Sequence, residues 1–394
     1  MARAPALQEI EELPEADRLE GFPHPRETRL LFGHADAERA LAQSFTSGRL
    51  HHGWMIAGRE GIGKATLAYR FARFLLAKPE ERDPAHTTLH VSEDTAAARQ
   101  VRALSHPGLL LIRRQWDPTR KRFGVSIPVD EVRRLRGFLA HTADVGAWRV
   151  VIVDTADDLN PNAANALLKS LEEPPSRTVF LLLTSEPGRL LPTIRSRCRI
   201  LPLTPLSDVD LHGAAAAALE AADNVVTPEA LARLEPLAEG SVRRLLELGA
   251  SDGAALYGRI ETILSHLPKV DWAAAHLLAD DLSSPASEQR FETFFSLLLG
   301  FLARSVRAAT APGGEGEEAA FAAKLIPEAR LAVWAEAWEA IVREKAEALE
   351  LNLDKRALVL GTLSRLAGAA RLCGRGVHTA FVISTRVHRP DTRQ

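Results

Sequence analysis

Residues 57–68 read AGREGIGKATLA. Gly58, Gly63 and Lys64 fall on the fixed positions of the G-x-x-x-x-G-K-[ST] phosphate-binding loop, with Gly61 between them. The residue after the lysine is Ala65, where the pattern wants a hydroxyl for magnesium. Upstream, GWMIAG (53–58) is a short apolar run suited to a buried strand; downstream, ATLAYRFARFLLA (65–77) has helical spacing. Strand, glycine loop and helix are the context the pattern requires. The glycines let backbone N–H groups approach phosphates, the helix N-terminus favours negative charge, and Lys64 would reach the β- and γ-phosphates. Thr66 comes one position late, turned about 100° from Ala65 by helical geometry, which makes it a poor substitute for the missing ligand.

Outward from the loop, strands and helices alternate. GLLLIRR (108–114), WRVVIVD (148–154) and TVFLLLTS (178–185) are continuous apolar runs of the kind that form buried parallel strands. PVDEVRRLRGFLAHT (128–142) reads as a helix, and so does NPNAANALLKSLEEPP (160–175), with Asn160 as cap, Pro161 at the first helical position and Ala164, Leu167, Leu168 and Leu171 as the buried stripe. The alternation predicts a doubly wound parallel sheet. After Pro205 strand signals stop. Residues 207–250 give three short helical patterns. Residues 251–394 are nearly all helical, with APGGEGEE (311–318) as a loop and EARLAVWAEAWEAIVREKAEALEL (328–351) as a strongly amphipathic helix. Residues 1–27, acidic and proline-containing, read as a mobile leader. The expected division is leader 1–27, α/β P-loop parallel-sheet core 28–206, small helical lid 207–250 and all-α domain 251–394.

Composition narrows the function. A chain of 394 residues suits two or three domains. A net charge of −2 lacks the basic bias of a freely acting nucleic-acid binder, so DNA contact would be local or shared with partners. Two distant cysteines, Cys198 and Cys373, form neither a disulfide framework nor a four-cysteine zinc site and suit a reducing cytoplasm. The N-terminus has no apolar signal region, and no run of 18 apolar residues exists, so no membrane contact is expected. His51 and His52 lack ligands at metal spacing and read as residues at a strand entrance; Trp54 and Trp148 read as packing.

The strand ending at Asp154 continues Thr155-Ala156-Asp157. In active P-loop ATPases such an aspartate serves magnesium and an adjacent glutamate polarises water. Threonine cannot take the proton as a carboxylate would, and Asp157, three residues on, could cap a helix instead. With Ala65, the two departures agree on a poor ATPase.

LFGH (31–34), RLHHGWMIAGREGIGKATLA (49–68), SHPGLLLIRR (105–114), VVIVDTADDLNPNAANALLKSLEEPP (150–175) and LPTIRSRC (191–198) together resemble the clamp-loader AAA+ family of bacterial DNA polymerase III. The resemblance covers about residues 28–250 well and the C-terminal helices more weakly, through LELNLDKRALV (349–359). It implies an AAA+ core and lid followed by a helical collar. It matches Arg197 to the arginine of the family's Ser-Arg-Cys motif, which reaches into a neighbouring subunit's ATP site. Thr184, or Ser185 beside it, matches the sensor-1 position, and Arg243, with Arg244 as the fallback, the sensor-2 arginine. Implied partners are the gamma/tau and delta subunits, the sliding clamp and, through the assembly, primer-template DNA. Ala65 and Thr155 depart from the family's ATPase subunits and agree with its non-hydrolysing type. The four-cysteine zinc module of many relatives is missing from residues 79–105, so no zinc is expected. Whether ATP or ADP is held without hydrolysis at Gly58, Gly61, Gly63, Lys64, Thr66, Asp154, Thr184 and Arg243 stays open. The resulting expectation is a non-catalytic, stator-like subunit. The alternatives are an active gamma/tau-type ATPase, and a lone P-loop ATPase in DNA repair or helicase loading. Ala65 and Thr155 speak against the first, and the LLKSLEEPP and SRC texts against the second.

Overall fold

The computed structural model describes residues 13–83, 87–140, 147–223, 228–250, 253–284, 287–310, 325–326, 330–351 and 353–372. The chain forms two compact units, Met1–Ala250 and Ser251–Gln394.

The first unit is built on five strands: β1 (Gly53–Ala57), β2 (Leu109–Arg113), β5 (Arg149–Asp154), β6 (Thr178–Thr184) and β7 (Arg199–Pro202). They pair in the order β2-β5-β6-β1-β7, all parallel. The apolar runs are explained by burial on both faces. Trp54, Ile56, Ile152, Leu181 and Leu183 pack towards α1 (Ala35–Thr46) and α2 (Lys64–Leu76). Their neighbours Met55, Val151, Val153, Phe180 and Leu182 pack towards α4 (Val129–Ala140) and α5 (Pro161–Glu172). In α5 the Asn160 side chain accepts from Ala163 N–H at 2.8 Å, Pro161 opens the helix, and Ala163, Ala164, Leu167 and Leu171 are buried. Between α2 and β2 lies α3 (Ala96–Arg102).

Three features depart from the sequence reading. Strand β7 is only four residues long and pairs on one side only, with β1, leaving Arg199, Ile200 and Pro202 exposed; so short an edge strand carries no readable periodicity. A two-stranded hairpin, β3 (Trp116–Asp117) and β4 (Arg122–Phe123), follows β2 for the same reason unseen. The leader is the larger correction. Residues 13–27 are held down: Glu15 lies 2.8 Å from Arg26 and 2.6 Å from Arg113, Asp17 also pairs with Arg113, and Phe22 and His24 are buried. Acidic, proline-containing sequence reads as disorder only while its counter-ions, here on β2, are out of view. Residues 1–12 lie outside the described residues.

Helices α7 (Asp208–Ala221), α8 (Pro228–Ala238) and α9 (Val242–Ala250) follow β7, with the short α6 (Pro192–Arg195) before it. Gly240, at φ +75°, makes the α8–α9 turn; a Cβ there would sit 2.6 Å from Pro205 Cβ and 2.8 Å from Leu206 N, while its carbonyl accepts from Leu206 N–H at 3.1 Å. The second unit contains α10 (Gly253–Ser265), α11 (Trp272–Ser283), α12 (Glu288–Thr310), α13 (Leu331–Glu350) and α14 (Lys355–Leu372), packed around Phe291, Phe294, Phe295, Phe301 and Trp334. The APGGEGEE loop and Cys373 lie outside the described residues. No helix among the described residues is long and apolar enough to cross a membrane.

Leu167→Ala is expected to lower the unfolding free energy by about 2–5 kcal/mol through the cavity it leaves. Asn160→Ala is expected to cost about 1 kcal/mol through the lost cap. Urea denaturation of the purified chain checks both.

Candidate functional site

Parallel strands bring their carboxyl ends to one edge, and ligand sites of open α/β sheets form there. Here that edge opens into a cavity of about 1200 Å³, whose wall includes Gly61, Gly63, Lys64, Thr66, Asp154 and Arg243. Gly58 and Thr184 do not line it, and neither does Arg197.

The loop's shape is fixed from both sides. His34 Nε2 bonds the Ile62 carbonyl at 2.6 Å. Gly61, at φ +76°, turns its carbonyl to the start of α9, where it accepts from Val242 N–H at 3.0 Å and Arg243 N–H at 3.4 Å. A Cβ at Gly61 would lie 2.3 Å from Ser241 Oγ, which itself donates to the Glu60 carbonyl at 2.9 Å. Arg59 adds an ion pair to Glu239 at 2.6 Å. Helix α9 is thus hydrogen-bonded directly to the loop.

Lys64 is buried, and its ammonium donates to the carbonyls of Gly58 (2.6 Å) and Arg59 (2.7 Å) and to Ser185 Oγ (2.9 Å). All three protons are placed inside the chain. Burial lowers its pKa, against the pull of Asp154, Glu60 and Asp157. Arg243 is held by Glu247 at 2.9 Å and by the loop's own Glu60 at 3.5 Å. Asp154 is half-buried in the cavity wall, and its Oδ2 is buried without a hydrogen-bond partner. Burial, with the charge of Asp17 adding, pushes its pKa up to about 7 against Lys64, Arg113 and Arg243.

Asp157 is the residue the sequence undervalued. It caps no helix; it accepts from Thr184 Oγ1 (2.5 Å), Ser185 N–H (2.6 Å) and Thr155 Oγ1 (3.1 Å), tying the ends of β5 and β6 together. Thr184 is therefore committed to Asp157 and fully buried, and Ser185 is the member of the pair that faces the cavity. Thr155 also donates to the Leu183 carbonyl at 2.8 Å, so its hydroxyl is a structural donor. No periodicity signals such a hub, because its three donors come from three different backbone positions. Ala65 follows the lysine and this threonine follows Asp154, so neither position carries a free hydroxyl or a carboxylate. Among the described residues no three His, Cys, Asp or Glu side chains cluster as metal ligands.

Arg197 stands at the other end of the sheet. Its carbonyl lies against Gly53, the first residue of β1, whereas the loop leaves the last, Ala57. The intervening strand spans about 13 Å at about 3.3 Å per residue. The half-exposed guanidinium bonds Glu172 at 3.0 Å and the Thr193 carbonyl at 3.1 Å.

Residues 33–207 match the family model described as DNA polymerase III, delta subunit. The delta-prime subunit of Pseudomonas aeruginosa is 40% identical over 147 residues, 37% of this chain and 41% of that protein. This chain resembles the delta-prime subunit of DNA polymerase III. The Escherichia coli delta-prime subunit is 37% identical over 171 residues, 43% of this chain and 46% of its own length. The gamma subunit of Buchnera aphidicola is 29% identical over 224 residues, 57% and 58% of the two chains. The chain spans less than half the length of these two delta-prime relatives. The matched family segment holds the glycine loop, Asp154, Asp157 and Arg197; Arg243 lies beyond it.

Between the ordinary carboxylate range and about pH 7 the folded chain keeps a proton on Asp154 that the unfolded chain has lost, so this group's contribution to stability falls as pH rises through that window. Asp154→Asn is expected to remove that loss and to raise stability at pH 7.5 by roughly 1–4 kcal/mol relative to wild type, with little gain near pH 4. Parallel thermal melts at the two pH values check this. Asp157→Ala, which strands the Thr184 hydroxyl and the Ser185 N–H, is expected to destabilise at both.

Proposed function

We propose that this chain is a non-hydrolysing, stator-like member of the bacterial DNA polymerase III clamp loader, offering Arg197 in trans to the ATP site of a neighbouring subunit. The observation that carries this reading is the position of Arg197. It is half-exposed, and the length of a strand separates it from its own cavity. An arginine that serves a nucleotide from there serves another chain's. A guanidinium so presented stabilises charge on the transferred phosphoryl group in the transition state. Glu172 and the Thr193 carbonyl hold it on the α5 and α6 side of the sheet, leaving further N–H donors for a phosphate.

The chain's own loop supports the other half of the reading. Lys64 is satisfied by Gly58, Arg59 and Ser185, Ala65 offers magnesium nothing, and Thr155 is bonded to Leu183. The loop keeps a phosphate-binding shape because His34 and the α9 amides need its carbonyls where they are. Partners on this reading are the gamma/tau and delta subunits and, through the assembly, the sliding clamp and primed DNA. The second unit would serve as the collar.

The test is DNA-stimulated ATP turnover of the reconstituted assembly. Arg197→Ala in this chain is expected to cut turnover at the adjacent site by about 10³-fold or more, and Lys64→Ala to leave turnover unchanged. Fast hydrolysis by the isolated wild-type chain, or its loss on Lys64→Ala, overturns the proposal and favours an active gamma/tau-type ATPase. Ala65→Ser with Thr155→Glu is expected to raise nucleotide affinity of the isolated chain.

A further inference from the structure

The segment before α1 lines the same cavity as the glycine loop. Ala16, Asp17, Leu19, Phe22, Pro23 and Pro25 form part of its wall. The segment is fastened at three points that belong to different parts of the first unit. At the sheet, Glu15 and Asp17 both pair with Arg113, the last residue of β2, whose register partner on β5 is Asp154. At the helix behind the loop, buried His24 lies 3.0 Å from Asp17 through Nε2 and meets Tyr69 of α2 edge-on, ring centroids 5.6 Å apart. At helices α7–α9, buried Phe22 lines one small apolar cavity together with Leu219 of α7, Leu231 of α8, and Leu245 and Leu246 of α9. Arg26 closes the segment on itself, bonding both Glu15 oxygens at 2.8 Å and the Arg102 carbonyl at 2.8 Å.

We infer that residues 13–27 are an intramolecular strap that ties helices α7–α9 to the sheet and disfavours nucleoside di- and triphosphates in the cavity whose wall it forms. The inference deepens the reading of the cavity as a retired nucleotide site and rests on it. Two physical effects act together. The strap contacts both helices α7–α9 and the sheet, so the two are bridged without a nucleotide. It also sets the Asp17 carboxylate in the wall, where a polyphosphate meets like charge. Of the six basic side chains among the described residues that line the cavity, Arg189 pairs with Glu186 at the surface and four are engaged more deeply, leaving Arg29. Lys64 is bonded to the loop, Arg243 to Glu60 and Glu247, Arg114 to Asp158, and Arg102 to Glu93. A nucleotide would have to displace internal partners at each of them. The acidic stretch of the leader is then no solvated tail. Its carboxylates are the fastening, and Phe22 couples the fastening to α7–α9.

The test uses the full-length chain. Hydrogen exchange at residues 13–27 of the wild type is expected to be at least about tenfold slower than in a peptide of that sequence, the protection that ~1.4 kcal/mol of local stability gives. Glu15→Gln with Asp17→Asn unpins the strap from Arg113, and Phe22→Ala unpins it from α7–α9 while leaving the ion pairs. Each is expected to release the protection and to tighten binding of a fluorescent ADP analogue, with magnesium present, by about tenfold or more. Lys64→Ala on either background is expected to abolish the gained binding, which locates it at the glycine loop. Peptide-like exchange in the wild type overturns the strap. Exchange released with nucleotide affinity unchanged overturns its effect on nucleotide binding. If the double variant does not fold, Phe22→Ala and the wild-type exchange still decide. Turnover of the assembly with Arg197→Ala is a separate readout, so the in-trans role and the strap fail independently.

Discussion

A lysine buried at the carboxyl edge of a parallel sheet has three protons to place, and most of what surrounds the cavity follows from where Lys64 places them. Taking an ammonium out of water is costly unless every proton finds an acceptor. Here the acceptors are two loop carbonyls and Ser185 Oγ. The loop must therefore curl back over its own lysine, which is what Gly61 and Gly63 at positive φ allow. Ser185 must face inward, and Asp157 sees to that by gripping its N–H and the Thr184 hydroxyl. The residue matched to sensor-1 is thereby consumed in holding its neighbour.

The same edge gathers more negative charge than it neutralises. Asp154 has Lys64, Arg113 and Arg243 nearby, yet burial and Asp17 dominate and its pKa rises. Arg113 is already shared with Glu15 and Asp17, both of which it helps keep ionised. A site designed to receive polyphosphate leaves its cations unpaired and its carboxylates ready for metal. Here Lys64, Arg102, Arg114 and Arg243 are paired internally. The loop's shape is held through its carbonyls, which accept from the first N–H groups of α9 and pair with His34.

At the opposite edge the arrangement is reversed. Arg197 is half exposed and held by contacts that orient it without enclosing it. It stands two residues before β7, a strand's length from the cavity of its own chain. The two edges of one sheet thus carry the two halves of the proposed role: a cavity turned in on itself, and an arginine turned out.

Much of this was legible in the residues. Apolar runs of five to seven residues name the central strands because both faces are buried, so no alternation is needed to recognise them. Asn160 and Pro161 mark the start of α5 because capping is local. Gly58, Gly63, Lys64 and the missing hydroxyl at Ala65 are visible as spacing alone. What the sequence could not decide are interactions between groups far apart in the chain. Strand β7 exists because β1 offers it an edge. Asp157 is a hub because β6 ends beside it. Residues 13–27 are held because Arg113, about a hundred positions later, supplies the charge that Glu15 and Asp17 need, and leucines of α7–α9 meet Phe22 around one small cavity. Local signals report what a residue does to its own backbone. Only the tertiary structure decides which distant charge or cavity it meets, and there a tail read as solvated became part of the wall.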